Sequence, residues 1–84
     1  MKYNAITYDF FYNADGSPWF YSMGVCMMDG AETLFHDMTP AISDEYAFTS
    51  ALQKAELEGF TEGERWTDKE TGAYSRSFRK SWGD

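Results

Sequence analysis

Eighty-four residues amount to one domain, and a chain this short removes only roughly 60 to 65% of its unfolded surface on folding, so large side chains must supply the core. Sixteen Phe, Tyr and Trp residues provide that bulk. Fourteen acids against seven Lys and Arg leave a net charge of −7, unevenly placed: residues 1–64 hold eleven acids and two bases, residues 65–84 three acids and five bases. An acidic body repels phosphate, which argues against direct nucleic-acid binding there and favours a basic protein surface as partner.

A single cysteine excludes a disulfide framework, and no apolar run reaches the 18 residues that a membrane-spanning helix needs. No cleavable leader is read at the start, so the expected setting is a reducing cytoplasm, that of the host if the chain is phage-encoded.

The first 38 residues alternate as strands around two turns. Asn13-Ala14-Asp15-Gly16-Ser17-Pro18 is a long turn, and Asp29-Gly30 reads as a two-residue hairpin loop flanked by Met28 and Ala31. This register sets Ile6 against Val25, Phe10 against Tyr21, Tyr12 against Trp19, Val25 against Leu34 and Tyr21 against Met38. One face then carries the aromatics with Leu34, His36 and Met38. The opposite face is mostly polar and partly acidic, with Thr7, Asp9, Ser22, Gly24, Cys26, Thr33 and Asp37, Phe35 across from Gly24 and a Phe11 and Phe20 pair near one end. Asp9, Ser22 and Asp37 fall in one row, but the two carboxylates lie two strand spacings apart, about 9.5 Å, too far to tune one another as an acid–base pair. They read as an acidic surface row.

Thr39-Pro40 stops the third strand, and Ser43 is the expected N-cap of a helix running to about Glu58, closed by Gly59. Phe48, Ala51, Leu52 and Ala55 make one narrow apolar stripe, predicted to lie on the aromatic face. Tyr46 and Leu57 point the opposite way. Glu56 and Glu58 occupy the last helical turn, where the helix dipole disfavours anions, and Glu62 and Glu64 follow at once. That breach of a local rule marks either a docking patch or pairing in cis with Arg65, Arg76 and Arg79.

The chain from Phe60 reads as extended: Phe60 to Thr67, a turn through residues 68–72, then Ala73 to Trp82. Tyr74, Arg76, Phe78, Lys80 and Trp82 share one face of the last strand. The expected fold is therefore α+β, an antiparallel sheet of order βββαββ with one helix on its aromatic face, spanning residues 1–84 as a single small acidic domain.

Chemistry-bearing patterns are sparse. Asn13-Ala14-Asp15-Gly16-Ser17 lacks the acidic twelfth position of a calcium loop, His36 has no second His or Cys to complete a metal shell, and no nucleophile stands with a base. No catalytic residue, metal ligand or cofactor is assigned. The expected function is a non-enzymatic acidic binding protein of the phage or mobile-element inhibitor type, mimicking nucleic acid to block the basic surface of a nucleic-acid-binding host or defence protein. Its expected partner surface comprises Glu56, Glu58, Glu62, Glu64, Tyr46, Leu57, Asp9 and Asp37. The alternative is a homo-oligomer, a structural or accessory subunit in which the basic tail of one copy meets the acidic body of another.

Overall fold

The computed structural model describes residues 3–30 and 32–82. The elements are β1 (Ala5–Tyr12), β2 (Pro18–Asp29), β3 (Glu32–Met38), α1 (Glu45–Leu57), β4 (Thr61–Glu62), β5 (Trp66–Thr67) and β6 (Tyr74–Ser81). All strands join one antiparallel sheet in the order β3-β2-β1-β6-β4, with β5 also paired to β6. The C-terminal strand thus lies beside β1, which becomes central. The expected extended segment from Phe60 to Thr67 is broken into β4 and β5 by residues 63–65.

The β1–β2 register follows the sequence pattern from Ile6↔Val25 to Phe11↔Phe20. It departs at the turn end. A bulge pairs Tyr12 with Pro18 rather than Trp19, and Trp19 is 52% exposed. The turn is closed by Asp15, whose carboxylate accepts bonds from the Ser17 backbone N–H at 2.9 Å and the Ser17 hydroxyl at 2.6 Å, with Gly16 in the left-handed region.

The β2–β3 register is a correction. Asp29 faces Glu32 and Met28 faces Thr33, so the hairpin closes on the Asp29 and Glu32 pair, one residue later than expected. Ala31, the expected partner of Met28, lies outside the described residues. Leu34, expected opposite Val25, is instead the extra residue of a bulge in β3 opposite Met27 and Met28. Beyond it Phe35 faces Met27, His36 faces Cys26, Asp37 faces Val25 and Met38 faces Gly24. Moving the loop by one residue shifts each partner by two, which preserves the faces. The bulge adds one more, which exchanges them. His36 and Met38 therefore join the face of Cys26 and Gly24, while Asp37 moves to the side of Val25.

The core forms between α1 and the face of the sheet that carries Tyr8, Phe10, Tyr12, Tyr21 and Phe78. Phe10 is fully buried and Phe48 is 2% exposed, and their rings meet edge to face at 5.3 Å. Each buried ring of this size stabilises by about 1.5–3 kcal/mol, with roughly 0.5–1.5 kcal/mol more per aromatic pair. Ala55 is buried and Ala51 and Leu52 half-buried, as the stripe requires. Between β3 and the helix, Ile42 exchanges two backbone hydrogen bonds with Tyr21, of 2.8 and 3.0 Å, and packs against the same core. The expected N-cap shifts by one residue: Asp44, not Ser43, caps α1, its carboxylate accepting the Ala47 N–H at 3.1 Å. No helix among the described residues is long and apolar enough to cross a membrane.

Candidate functional site

Two surfaces carry the sequence-derived candidates. On the outer side of α1, Tyr46 is 83% and Leu57 77% exposed. Eleven residues at 100° each place them on one line of the helix, away from the line that carries buried Phe48 and Ala55. Neither has a place in the core cluster.

The carboxylates at the end of the helix have two fates. Arg76 sits on β6 facing the helix side, and its Nε and Nη2 donate to the two oxygens of Glu62 at 2.9 and 3.0 Å, a bidentate pair. Glu56 lies 3.9 Å from the same guanidinium, and Arg65 approaches Glu62 at 3.8 Å. The Arg76 hydrogen bonds hold the Glu62 carboxyl below its ordinary range, and the same bonds raise Arg76 against the opposing cost of partial burial. Arg76 also lies 5.0 Å over the Phe78 ring. Glu58 forms no ion pair among the described residues and is the C-cap. Its N–H donates to the Lys54 carbonyl at 3.0 Å, and its own carbonyl accepts the Lys80 ammonium at 2.8 Å. Gly59 follows at φ 78°, the left-handed closing position. The helix end that holds Glu56 and Glu58 is thus offset by Lys54, Arg76 and Lys80, which removes the local electrostatic conflict. Glu64 is exposed and forms no ion pair among the described residues.

The second surface is the face of the sheet away from α1, which no other element covers among the described residues. Its pairing arranges it in rows that cross the strands. One row is Trp66, Ser75, Phe11 and Phe20; the next is Ser77, Asp9 and Ser22; a third is Thr61, Arg79, Thr7, Gly24 and Met38; a fourth is Ser81, Ala5, Cys26 and His36. Phe11 and Phe20 stack at 4.4 Å, and Trp19 meets Phe20 edge-on at 5.0 Å. Thr7, Asp9 and Cys26 lie in a hollow of about 220 Å³ walled by His36, Met38 and Arg79. Cys26 is 1% and Thr7 8% exposed, so a face expected to be solvated is partly sealed by its own side chains.

Burial raises the Asp9 carboxyl above its ordinary value, with His36 and Arg79 nearby pulling the other way. Asp9 and Arg79 are diagonal neighbours on adjacent strands, yet among the described residues neither belongs to an ion pair within 4 Å, and the Nε of Arg79 is buried without an acceptor. Asp37, expected beside Asp9, is exposed on the edge strand β3 facing Val25, for the register reason given above. Gly24 explains how that edge packs: a Cβ there would collide with the Asp37 carbonyl oxygen and stand 2.9 Å from the Met38 Cα. Arg79, expected to pair with the helix-end carboxylates, forms no ion pair among the described residues and lies with Ser77 and His36 at this face instead. His36 was expected on the aromatic face, and neither the pairing partner of β6 nor the bulge in β3 leaves a local signal.

No group of three or more His, Cys, Asp and Glu side chains converges among the described residues. No family model matches the chain, and neither do curated proteins or solved structures.

Proposed function

We propose that this is a non-enzymatic acidic binding protein, an inhibitor of the phage or mobile-element type, acting in a host cytoplasm by docking on the basic, nucleic-acid-binding surface of a host or defence protein. The observation that carries the reading is the outer line of α1, where Tyr46 and Leu57 stand almost fully exposed beside a Glu58 side chain without an ion-pair partner among the described residues. Large apolar side chains rimmed by charge are the composition of a contact surface. The net charge of −7 raises the rate of encounter with a cationic groove, and the ring and leucine then anchor the complex. Glu64 and Asp37 add exposed negative charge, whereas Glu56 and Glu62 act through their hold on Arg76. Asp9 lies on the opposite face of the sheet and belongs to a separate surface.

Assembly through the basic tail ranks second. Arg76 and Lys80 are engaged within their own chain, which leaves fewer cations for the acidic body of a neighbour.

The test is affinity capture from a host lysate with the wild-type chain, followed by binding kinetics on the captured protein. Glu58→Lys with Glu64→Lys should slow association, with a defect that shrinks as salt rises, because exposed charges steer encounter more than they hold the complex. Tyr46→Ala should raise the dissociation rate by about tenfold or more. A captured partner whose binding is unchanged by all three substitutions removes this surface from the reading.

A further inference from the structure

We propose that the face of the sheet away from the helix is a two-fold interface between copies of this chain, in which Asp9 of each copy meets the partner's Arg79. Three observations carry it.

The first is composition. The rows of this face hold one of the fourteen acids of the chain, one arginine and one histidine. Its remaining surface is aromatic, methionine and hydroxyl, with Trp66 57% exposed at one end and Met38 towards the other. Depletion of Lys and Glu with Phe, Trp, Met and Arg present is the composition of an interface centre, and the four serines of the rows form its more polar part. A chain of net charge −7 that keeps one face nearly neutral has placed its acids elsewhere.

The second is the pair of opposite charges at its middle. Asp9 and Arg79 are half-buried diagonal neighbours, the aspartate without an ion pair among the described residues and the arginine with a buried Nε lacking an acceptor. Half-buried charges normally find hydrogen-bonded partners; Asp9 and Arg79 act on one another only at longer range and make no contact ion pair among the described residues of their own chain. A two-fold axis lying between two stacked sheets and bisecting the line from Asp9 to Arg79 brings each carboxylate over the partner's guanidinium. Both pairs form at once, because an isologous interface repeats every contact.

The third is size. Eight residues of β1 and β6 at about 3.3 Å each, by four strand spacings of about 4.8 Å, give a plan area on the order of 500 Å². A standard interface buries about 800 Å² per partner. The occupant that fits is a second copy held weakly and reversibly, populated in the micromolar range or above.

Sedimentation of the full chain from about 1 μM to 1 mM, at physiological ionic strength where screening acts beyond about 8 Å, tests this. The wild type should pass from monomer to dimer. Asp9→Arg and Arg79→Asp should each weaken association by at least about tenfold, since each sets like charges across the axis. An equimolar mixture of the two variants should restore a heterodimer, because positions 9 and 79 are both arginine in the first variant and both aspartate in the second, so every contact across the axis is again a pair of opposite charges. Such complementation has no explanation in folding alone. A wild type that stays monomeric throughout overturns the proposal. So does a dimer that survives the single reversals, or a mixture that stays monomeric. If either variant fails to fold, Ser77→Arg, which puts a bulky cation between the two sheets, takes its place: retention of the dimer overturns the proposal and its loss supports it.

Discussion

Asp9 shows how far the setting of one side chain departs from what its position on a strand implies. Alternation places it on a polar face, where it would be an ordinary solvated carboxylate. The hollow formed with His36, Met38 and Arg79 instead removes water from it, and desolvation raises its pKa. The folded chain therefore holds this proton more tightly than the unfolded chain does. The stability contribution is greatest at low pH, declines as pH rises from the ordinary value of 3.8 through the raised folded value, and stays reduced above it. Asp9→Asn removes the titration and keeps the shape. At neutral pH and at protein concentrations too low for dimer formation, the variant should melt above the wild type, and the gap should close as pH falls below 3.8. Thermal unfolding followed by circular dichroism across that range checks it, and a gap that persists at low pH would mean that packing rather than charge is responsible.

At the scale of elements, the bulge at Leu34 of β3, opposite Met27 and Met28, decides which residues of β3 reach which face, and a residue outside both strands holds the point opposite it. The side-chain amide of Asn4 donates to the Met28 carbonyl at 2.9 Å and accepts the Met28 N–H at 2.8 Å, standing where a strand neighbour would. Met28 adjoins the bulge, so this clamp fixes the point where the register changes. Asn4→Ala leaves both backbone groups unpaired in a half-buried place. It should cost about 1–3 kcal/mol, which for a domain of this size lowers the melting temperature by about 4–8 °C per kcal/mol. Hydrogen exchange should localise the loss to β2 and β3 and leave β1 and β6 protected. Uniform loss of protection across all strands would show that the clamp supports the whole sheet instead. Neither the bulge nor its clamp is legible in the sequence, where Asn4 is one polar residue before a strand and Asp29-Gly30 is the stronger turn signal.

Across the whole molecule, the acidic body and basic tail are joined in one sheet. β6 lies beside β1, so its cations reach the helix end from within the chain. Glu62 and Glu58, four residues apart and alike in type, should therefore behave differently. Glu62→Lys breaks a bidentate pair and brings three cations together, and should lower stability by up to about 1 kcal/mol, the pair being partly exposed and screened. Glu58→Lys should leave the melting temperature unchanged within error, because its structural role is carried by backbone atoms. The Glu62 pKa is held down by folding, so its contribution is present above the ordinary carboxylate value and is lost as pH falls through the folded one. Parallel melting curves for the two variants at neutral and acid pH separate the roles. With the open face paired as proposed, a dimer would present two outer helix surfaces at once, and docking on a repeated basic partner would gain from both.

What the chain determines by itself are the features that rest on local periodicity: the strands β1 and β2 and their register from Ile6 to Phe11, the apolar stripe of α1, the exposure of Tyr46 and Leu57, the alternation of β6, and the α+β class with the helix on the aromatic face. Side-chain direction repeats every two or 3.6 residues, and that repeat is written in the residues themselves. Only the tertiary structure decided the placement of β6 beside β1, the exchange of faces in β3, the choice between Ser43 and Asp44 as cap, and the meeting of Asp9 with His36 and Arg79. The cap turns on one side-chain bond within a single turn, Asp44 to the Ala47 N–H, which two adjacent polar residues leave open in the sequence. The others depend on contacts between residues distant in sequence, or on a one-residue bulge, and neither leaves a periodic trace.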